Sequence, residues 1–295
     1  MIRPINFGFN EQTAASNAFQ KNGAQAEVQQ NALQEFDAFV KILRQNGVQV
    51  MVIDDTPELH TPDSVFPNNW ISFHENGSVV LYPMQAENRR LERKVFGAIK
   101  EAFAINRVFD LTHFEQQNQF LEGTGSMVLD RKYKLAYASL SPRTNEVVLA
   151  EFCRLSGYRS ILFHAEDETG KAIYHTNVLM ALGDHFAVIC LDSIPNNTEK
   201  SMVKTALQQS GKEIIEIDFG QMNAFAGNML QLENNAGESL LAMSETAFLS
   251  LKEAQIKTLE KFCRLIYSPL NTIETNGGGS ARCMMAEVFL PVKTV

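Results

Sequence analysis

No run of apolar residues in this 295-residue sequence approaches the roughly 20 needed to cross a bilayer. The first ten residues also lack the charged-then-apolar order of a secretory signal. The sequence therefore reads as cytoplasmic, with no membrane partner. Basic clusters are missing as well: 26 Lys and Arg stand against 34 Asp and Glu, a net charge of −8. Nucleic acid is not an expected partner, because neutralising phosphates needs clustered cations. Cysteine is scarce. Cys153, Cys190, Cys263 and Cys283 are scattered, with no CxxC pair and no histidine at zinc-finger spacing. Neither a metal site nor a disulfide framework is expected. No linker rich in Pro, Gly or Ser divides the chain, so a single domain over 1–295 is expected.

What is present is the composition of a globular α/β protein, 45% hydrophobic and 20% charged. A chain of this length buries roughly 75% of its unfolded surface, so it needs no staple. Helical periodicity predicts five helices, at about 24–45, 86–103, 144–156, 198–210 and 244–263. Gly47, Gly157 and Gly211 stand where helices stop. A short β-rich run follows each helix, at 48–53, 107–111, 160–163, 213–217 and, more weakly, 265–268. A polar or small loop then precedes an apolar stretch. Asn69, Gly125, Asn177, Asn228 and Cys283 each begin such a stretch, at spacings of 56, 52, 51 and 55 residues. Turn signals recur inside the units, as at Asn76-Gly77, Gly183-Asp184 and Asn234–Gly237. A period in this range is a repeat signature. It suggests a closed ring of five units with their loops converging on one site. Spacing alone leaves open an ordinary α/β sheet whose element lengths happen to repeat.

The loops differ in what they carry. The first holds Asp63, Asn68 and Asn69; the second Glu122; the third His175 and Asn177; the fourth Asn228; the fifth Gly277-Gly278-Gly279-Ser280-Ala281-Arg282-Cys283. Brought together, they supply the nucleophile, base and orienter of covalent catalysis. Cys283 differs from the other three cysteines, which read as structural, by following three glycines. Glycine lets the backbone approach a ligand closely, and exposed amides with Arg282 beside them favour a thiolate. His175 has the ordinary acid–base character of an imidazole at a strand start. The remaining five histidines read as structural, and Asn228 reads equally as a site residue or a turn residue.

Together these loops resemble the pentein superfamily of guanidine-modifying enzymes. Gly277–Met284 resembles its nucleophilic cysteine motif. Pro62-Asp63-Ser64-Val65-Phe66 with Pro67-Asn68-Asn69 resembles the dimethylarginine hydrolase loop, whose last two positions are normally carboxylates. Leu121-Glu122-Gly123 resembles its acidic-Gly-Gly loop. Ser141-Pro142-Arg143-Thr144-Asn145 and Asn88-Arg89-Arg90 resemble segments that bind the substrate carboxylate, through Arg143 and one of Arg89 and Arg90. The opening residues 3–20 resemble the citrulline-utilisation hydrolases within that branch. The resemblance implies a five-bladed α/β propeller of ββαβ repeats, a cysteine hydrolase without cofactor, and a small amino-acid substrate. A ring edge could also pair two copies into a homodimer.

The departures bear on the substrate. Asn69 and Asn177 stand where arginine-handling members of the superfamily carry carboxylates. A carboxylate clamps a guanidinium through charge-assisted bonds, whereas an Asn amide offers a donor and an acceptor and complements a neutral ureido group. The expected reaction is attack of Cys283 on the ureido carbon of citrulline. His175 acts as acid and base, oriented by Glu122. Asp63, Asn68, Asn69 and Asn177 fix the ureido plane, with Gly279 against the substrate. Ornithine, CO₂ and ammonia are the products. The alternative is that Asp63 and Glu122 alone hold a guanidinium, with arginine or methylated arginine as substrate and citrulline as product. An amidinotransferase and a non-enzymatic binding module are readings of other classes.

Overall fold

Four of the five repeat units build the same small sheet. The computed structural model describes residues 1–14, 17, 19–21 and 27–293. In each unit a short strand pairs antiparallel with the next, and a third strand returns parallel on the far side of the middle one. The first sheet is β3 (Ile71–Phe73), β4 (Ser78–Leu81) and β5 (Arg107–Asp110), and the second is β6 (Met127–Asp130), β7 (Leu135–Ser139) and β8 (Arg159–Phe163). The third is β9 (Met180–Leu182), β10 (Phe186–Ile189) and β11 (Glu213–Glu216), and the fourth is β12 (Leu230–Glu233), β13 (Ser239–Ser244) and β14 (Arg264–Ser268). The middle strands are buried along nearly their whole length, so they read as continuous apolar runs. The third strands carry exposed positions, which explains the weak signal at 265–268.

The fifth unit departs from this plan. It keeps only a parallel pair, β1 (Ile2–Arg3) with β2 (Ile53–Asp54). The apolar stretch after Cys283, where the implied ββαβ repeat calls for a strand, forms none. Arg282 explains this locally: its Nη1 donates to the Met285 carbonyl at 2.9 Å, and Met285 N–H turns back to the Arg282 carbonyl. Those groups are then unavailable to a ladder.

Helices form where capping and apolar spacing coincide. Val28–Gln45 buries Phe36, Phe39, Val40 and Leu43; positions 24–26 of the expected helix lie outside the described residues. Glu146–Ser156 is capped by the Asn145 side chain and stopped by Gly157 at φ 74°. Asn197–Gln209 is capped by Asn196. Two expected helices are broken. The 86–103 helix becomes Glu87–Arg90, a 3₁₀ stretch Leu91–Val95, and Phe96–Ala102. Tighter 3₁₀ winding aligns residues three apart, and here it accompanies a buried Arg89–Glu92 pair. The 244–263 helix splits into Glu245–Ser250 and Glu253–Leu259, each with its own start signal at Ser244 and Gln255. Among the described residues, no helix is long and apolar enough to cross a membrane.

Candidate active site

A single helical turn precedes the first strand in three units: Pro67–Asn69, Gly123–Ser126 and Thr176–Leu179. The residue before each turn is non-helical, so its side chain leaves the turn; two of these residues are Glu122 and His175. Neighbouring loops are tied to one another. Thr124 Oγ1 donates to the Asn68 carbonyl at 3.3 Å, and Thr176 Oγ1 to the Ser126 carbonyl at 2.6 Å. Asn228 Nδ2 donates to the Asn177 carbonyl at 3.0 Å, and Arg282 N–H to Asn228 Oδ1 at 3.0 Å. The Phe66 ring of the first loop lies against the fifth. A Cβ at Gly277 or Gly279 would fall 2.8 or 2.9 Å from it. These two glycines are therefore needed for packing, and Gly278, at φ 64°, for its left-handed backbone.

His175 Nε2 and Glu122 Oε2 are 2.8 Å apart, and both side chains are buried. Glu122 Oε1 accepts a second bond from Gln85 N–H at 3.0 Å. Burial raises the Glu122 pKa, but Arg143, His175 and Arg89 outweigh it and hold the carboxyl well below its usual range. Burial lowers the His175 pKa to about 4 despite Glu122. The pair is thus a carboxylate and a neutral imidazole at neutral pH. An ionised Glu122 can only accept, so Nε2 carries the proton and Nδ1 remains as the base. Cys283 is buried, and its Sγ accepts from two amides: Asn177 Nδ2 at 3.4 Å and Asn228 Nδ2 at 3.3 Å. Asn177 stands two residues beyond His175, so one loop serves both groups. Burial pushes the other thiols up, to about 11 for Cys153 and about 12 for Cys263. Cys190 moves the same way.

Asp63, Asn68, Asn69 and Asn177 are all buried. Five of their polar atoms find no protein partner: Asp63 Oδ1, both Asn68 amide atoms, Asn69 Nδ2 and Asn177 Oδ1. Buried polar atoms are normally satisfied, so these five are open to a polar ligand or to water. Arg89 stands beside them. It donates to Asn69 Oδ1 at 2.9 Å and grips Glu92 through two bonds of 2.8 and 3.1 Å. It also lies 3.8 Å from Asp63 and 3.9 Å from Glu122. Burial works against this cation, but Glu92 and Asp63 outweigh it and keep it charged. Burial raises the Asp63 pKa although Arg89 and Asn10 pull it down.

Arg143 stacks over Tyr174, 4.9 Å from the ring centre, and donates to the Thr13 carbonyl at 3.1 Å. The N-terminal segment enters here. Asn10 donates to Asp63 Oδ2 at 2.7 Å, and Asn17 to the Gly277 carbonyl at 3.3 Å. Arg90 does not join the cluster. Its guanidinium donates to the carbonyls of Met84 and Gln85 and faces Glu115 instead. Consecutive helical residues point about 100° apart, so only one of Arg89 and Arg90 can enter. Glu92, three residues on, is the sequence signal that singles out Arg89. No motif marks Glu92 in the sequence, and the sequence alone leaves Asn228 equally a site residue or a turn residue. Among the described residues, no three His, Cys, Asp or Glu side chains are grouped to hold a metal ion.

The family profile described as "N,N dimethylarginine dimethylhydrolase, eukaryotic" matches residues 3–290. The chain belongs to that family. It is a dimethylarginine hydrolase-like member of the pentein superfamily and a cysteine-dependent hydrolase of non-peptide C–N bonds. No curated protein matches the sequence. Solved structures share the fold. One is apo ArgZ, an arginine dihydrolase from the ornithine–ammonia cycle in Cyanobacteria, 16% identical with a TM-score of 0.77 over 96% of this chain. This chain spans only 39% of the full ArgZ chain. The N-terminal domain of ArgZ bound to substrate is 17% identical, with a TM-score of 0.77 over 98% of both chains. Dimethylarginine dimethylaminohydrolase, in its adduct with 4-chloro-2-hydroxymethylpyridine, is 16% identical, with a TM-score of 0.65 over 96% of both.

The His175–Glu122 pair makes this dimethylarginine hydrolase relative sensitive to acid. Both folded pKa values lie below the ordinary ones, so the unfolded chain binds protons first as pH falls. Their stabilising contribution is complete above pH 6.5 and is lost as His175 protonates towards pH 4. Glu122 adds its loss below its ordinary value of 4.5. The difference in unfolding free energy between wild type and His175→Asn therefore narrows from pH 7 to pH 4.5, as read by urea titrations. A constant difference would show that His175 does not titrate in this way.

Proposed function

We propose that this enzyme hydrolyses a ureido amino acid, with citrulline as substrate, giving ornithine, CO₂ and ammonia. The observation that carries this reading is the set of partnerless atoms beside a resident cation. Asn69 Oδ1 already accepts from Arg89, which leaves Asn69 Nδ2 as a donor. Asp63 Oδ1 and Asn177 Oδ1 remain as acceptors. One carbonyl and two kinds of N–H on a ureido group match such a set. Arg89, 3.8 Å from Asp63, weighs against a second guanidinium there, since like charges in a buried site repel strongly.

In the proposed mechanism the thiol proton passes to His175 Nδ1 as Sγ attacks the ureido carbon. The C–Nδ bond then breaks, and His175 returns the proton to the leaving nitrogen, so ornithine departs as the amine. Water, deprotonated by His175, attacks the S-carbamoyl carbon. The thiol is regenerated, and the carbamate decomposes to CO₂ and ammonia. Glu122 keeps the imidazole in its tautomer throughout. Arg143 pairs with the α-carboxylate. The loop-to-loop bonds support reading the five units as one five-bladed propeller around this centre.

A second reading rests on the family: Asp63 and Glu122 accept a guanidinium, and arginine or dimethylarginine is converted to citrulline. ArgZ, named an arginine dihydrolase, lends it weight. The test is a product assay with citrulline, arginine and dimethylarginine offered separately, each with and without an amine acceptor. Ornithine from citrulline alone supports the first reading. Citrulline formed from a guanidine replaces it with the second, and turnover only with an acceptor makes the enzyme a transferase.

A further inference from the structure

We propose that Asn228, supplied by the fourth loop, holds the Cys283 sulfur as a hydrogen-bond acceptor and thereby sets its nucleophilicity. The inference rests on the covalent role of Cys283 but not on the identity of the substrate.

The amide of Asn228 is buried and fully committed. Its Oδ1 accepts the Arg282 N–H at 3.0 Å. Nδ2 carries two hydrogens. One goes to the Asn177 carbonyl at 3.0 Å, the other to Cys283 Sγ at 3.3 Å. These partners fix the amide's orientation. Turned over, its oxygen would face the Asn177 carbonyl and its NH₂ would face the Arg282 N–H, two repulsive contacts in place of two bonds. A donor is therefore forced towards the sulfur. The loop is built to bring it there. Gly227 packs so tightly that a Cβ would fall 2.3 Å from the Val178 carbonyl. Phe225, a non-glycine residue, adopts φ 63°. Such backbone strain persists only where the surroundings enforce it. Asn177 contributes a second donor, 3.4 Å from the sulfur. Together the two amides form a cradle that favours an anionic sulfur over a neutral one, because bonds to a charged acceptor are the stronger ones.

The consequence is separable from structural support. Asn228→Ala removes the donor, and its effect is read by alkylation of the folded protein with iodoacetamide from pH 6 to 10. Modification of the peptide containing Cys283 is followed by mass spectrometry. The expected result is a roughly tenfold slower reaction of Cys283 at pH 7, with the profile moved to higher pH by about one unit. Cys153, Cys190 and Cys263 serve as internal controls whose profiles stay as in wild type. In turnover, kcat falls more than KM rises. Should the alanine variant fail to fold, Asn228→Ser keeps an oxygen for the Arg282 N–H, and the same shift is expected. An unmoved Cys283 profile in a folded variant overturns the proposal and leaves Asn228 as loop support only. Alkylation needs no substrate, so an enzyme that ignores citrulline but shows the shift fails the substrate reading and not this one.

Discussion

Cys283→Ser lowers kcat by at least about 10⁴-fold while the protein stays folded. The size follows from covalent chemistry: a neutral hydroxyl is a far weaker nucleophile than sulfur, and no other described group offers to replace it. Folding is preserved because the substitution is nearly isosteric. The serine oxygen can still accept from Asn177 and Asn228, as the sulfur does. Substrate binding, measured by calorimetry, should persist, since the partnerless atoms of Asp63, Asn68 and Asn69 are untouched. Near-wild-type turnover in this variant would sink the covalent mechanism.

Arg89→Met should be the most damaging single change to stability, at about 3–5 kcal/mol. Arg89 is the cation nearest to Glu92 and stands within 4 Å of Asp63 and Glu122, at 3.8 and 3.9 Å. Burial already pushes the Glu92 carboxyl up to about 8 beside Arg89, so the loss of Arg89 leaves it either an unpaired buried charge or a group that must take up a proton. The pair as a unit is another matter. Replacing both partners with apolar residues of similar volume removes the stranded charge, so Arg89→Met/Glu92→Leu should recover much of the stability. It should not recover activity, because Asn69 loses its anchor and Asp63 its neighbouring cation. Urea unfolding of the two variants measures the contrast. A loss below about 1 kcal/mol in the single variant would mean that the carboxylates take up protons and need no counterion.

Much of the candidate site is legible in the sequence because chemistry-bearing residues recur at one phase of a repeat. Glu122, His175, Asn228 and Cys283 sit just ahead of apolar stretches, and the loops that carry them do meet. The fold was less legible where tertiary partners decide. The 86–103 stretch has helical spacing, yet its backbone follows the Arg89–Glu92 pair. The stretch after Cys283 is apolar enough for a strand, yet Arg282 turns it back on itself. Arg89 and Arg90 are chemically identical neighbours, so composition cannot choose between them; direction of projection can. The role of Asn228 needed three partners from two other loops, none of which its local sequence reveals.

The closing stretch of the chain has a consequence for the order of folding. In each three-stranded sheet the parallel partner arrives soon: Ser78 pairs with Arg107, Leu135 with Arg159, Phe186 with Glu213 and Leu240 with Arg264. Residues 291–293, by contrast, bond to residues 102–104, and Lys293 reaches the Lys100 carbonyl across 193 positions. Contacts of such separation carry the largest closure entropy and form late. Cys283 lies between the last sheet and this seam. The stretch that carries Cys283 is therefore among the last to be anchored, when residues 291–293 return to 102–104, so the four sheets can form before the sulfur is held in place.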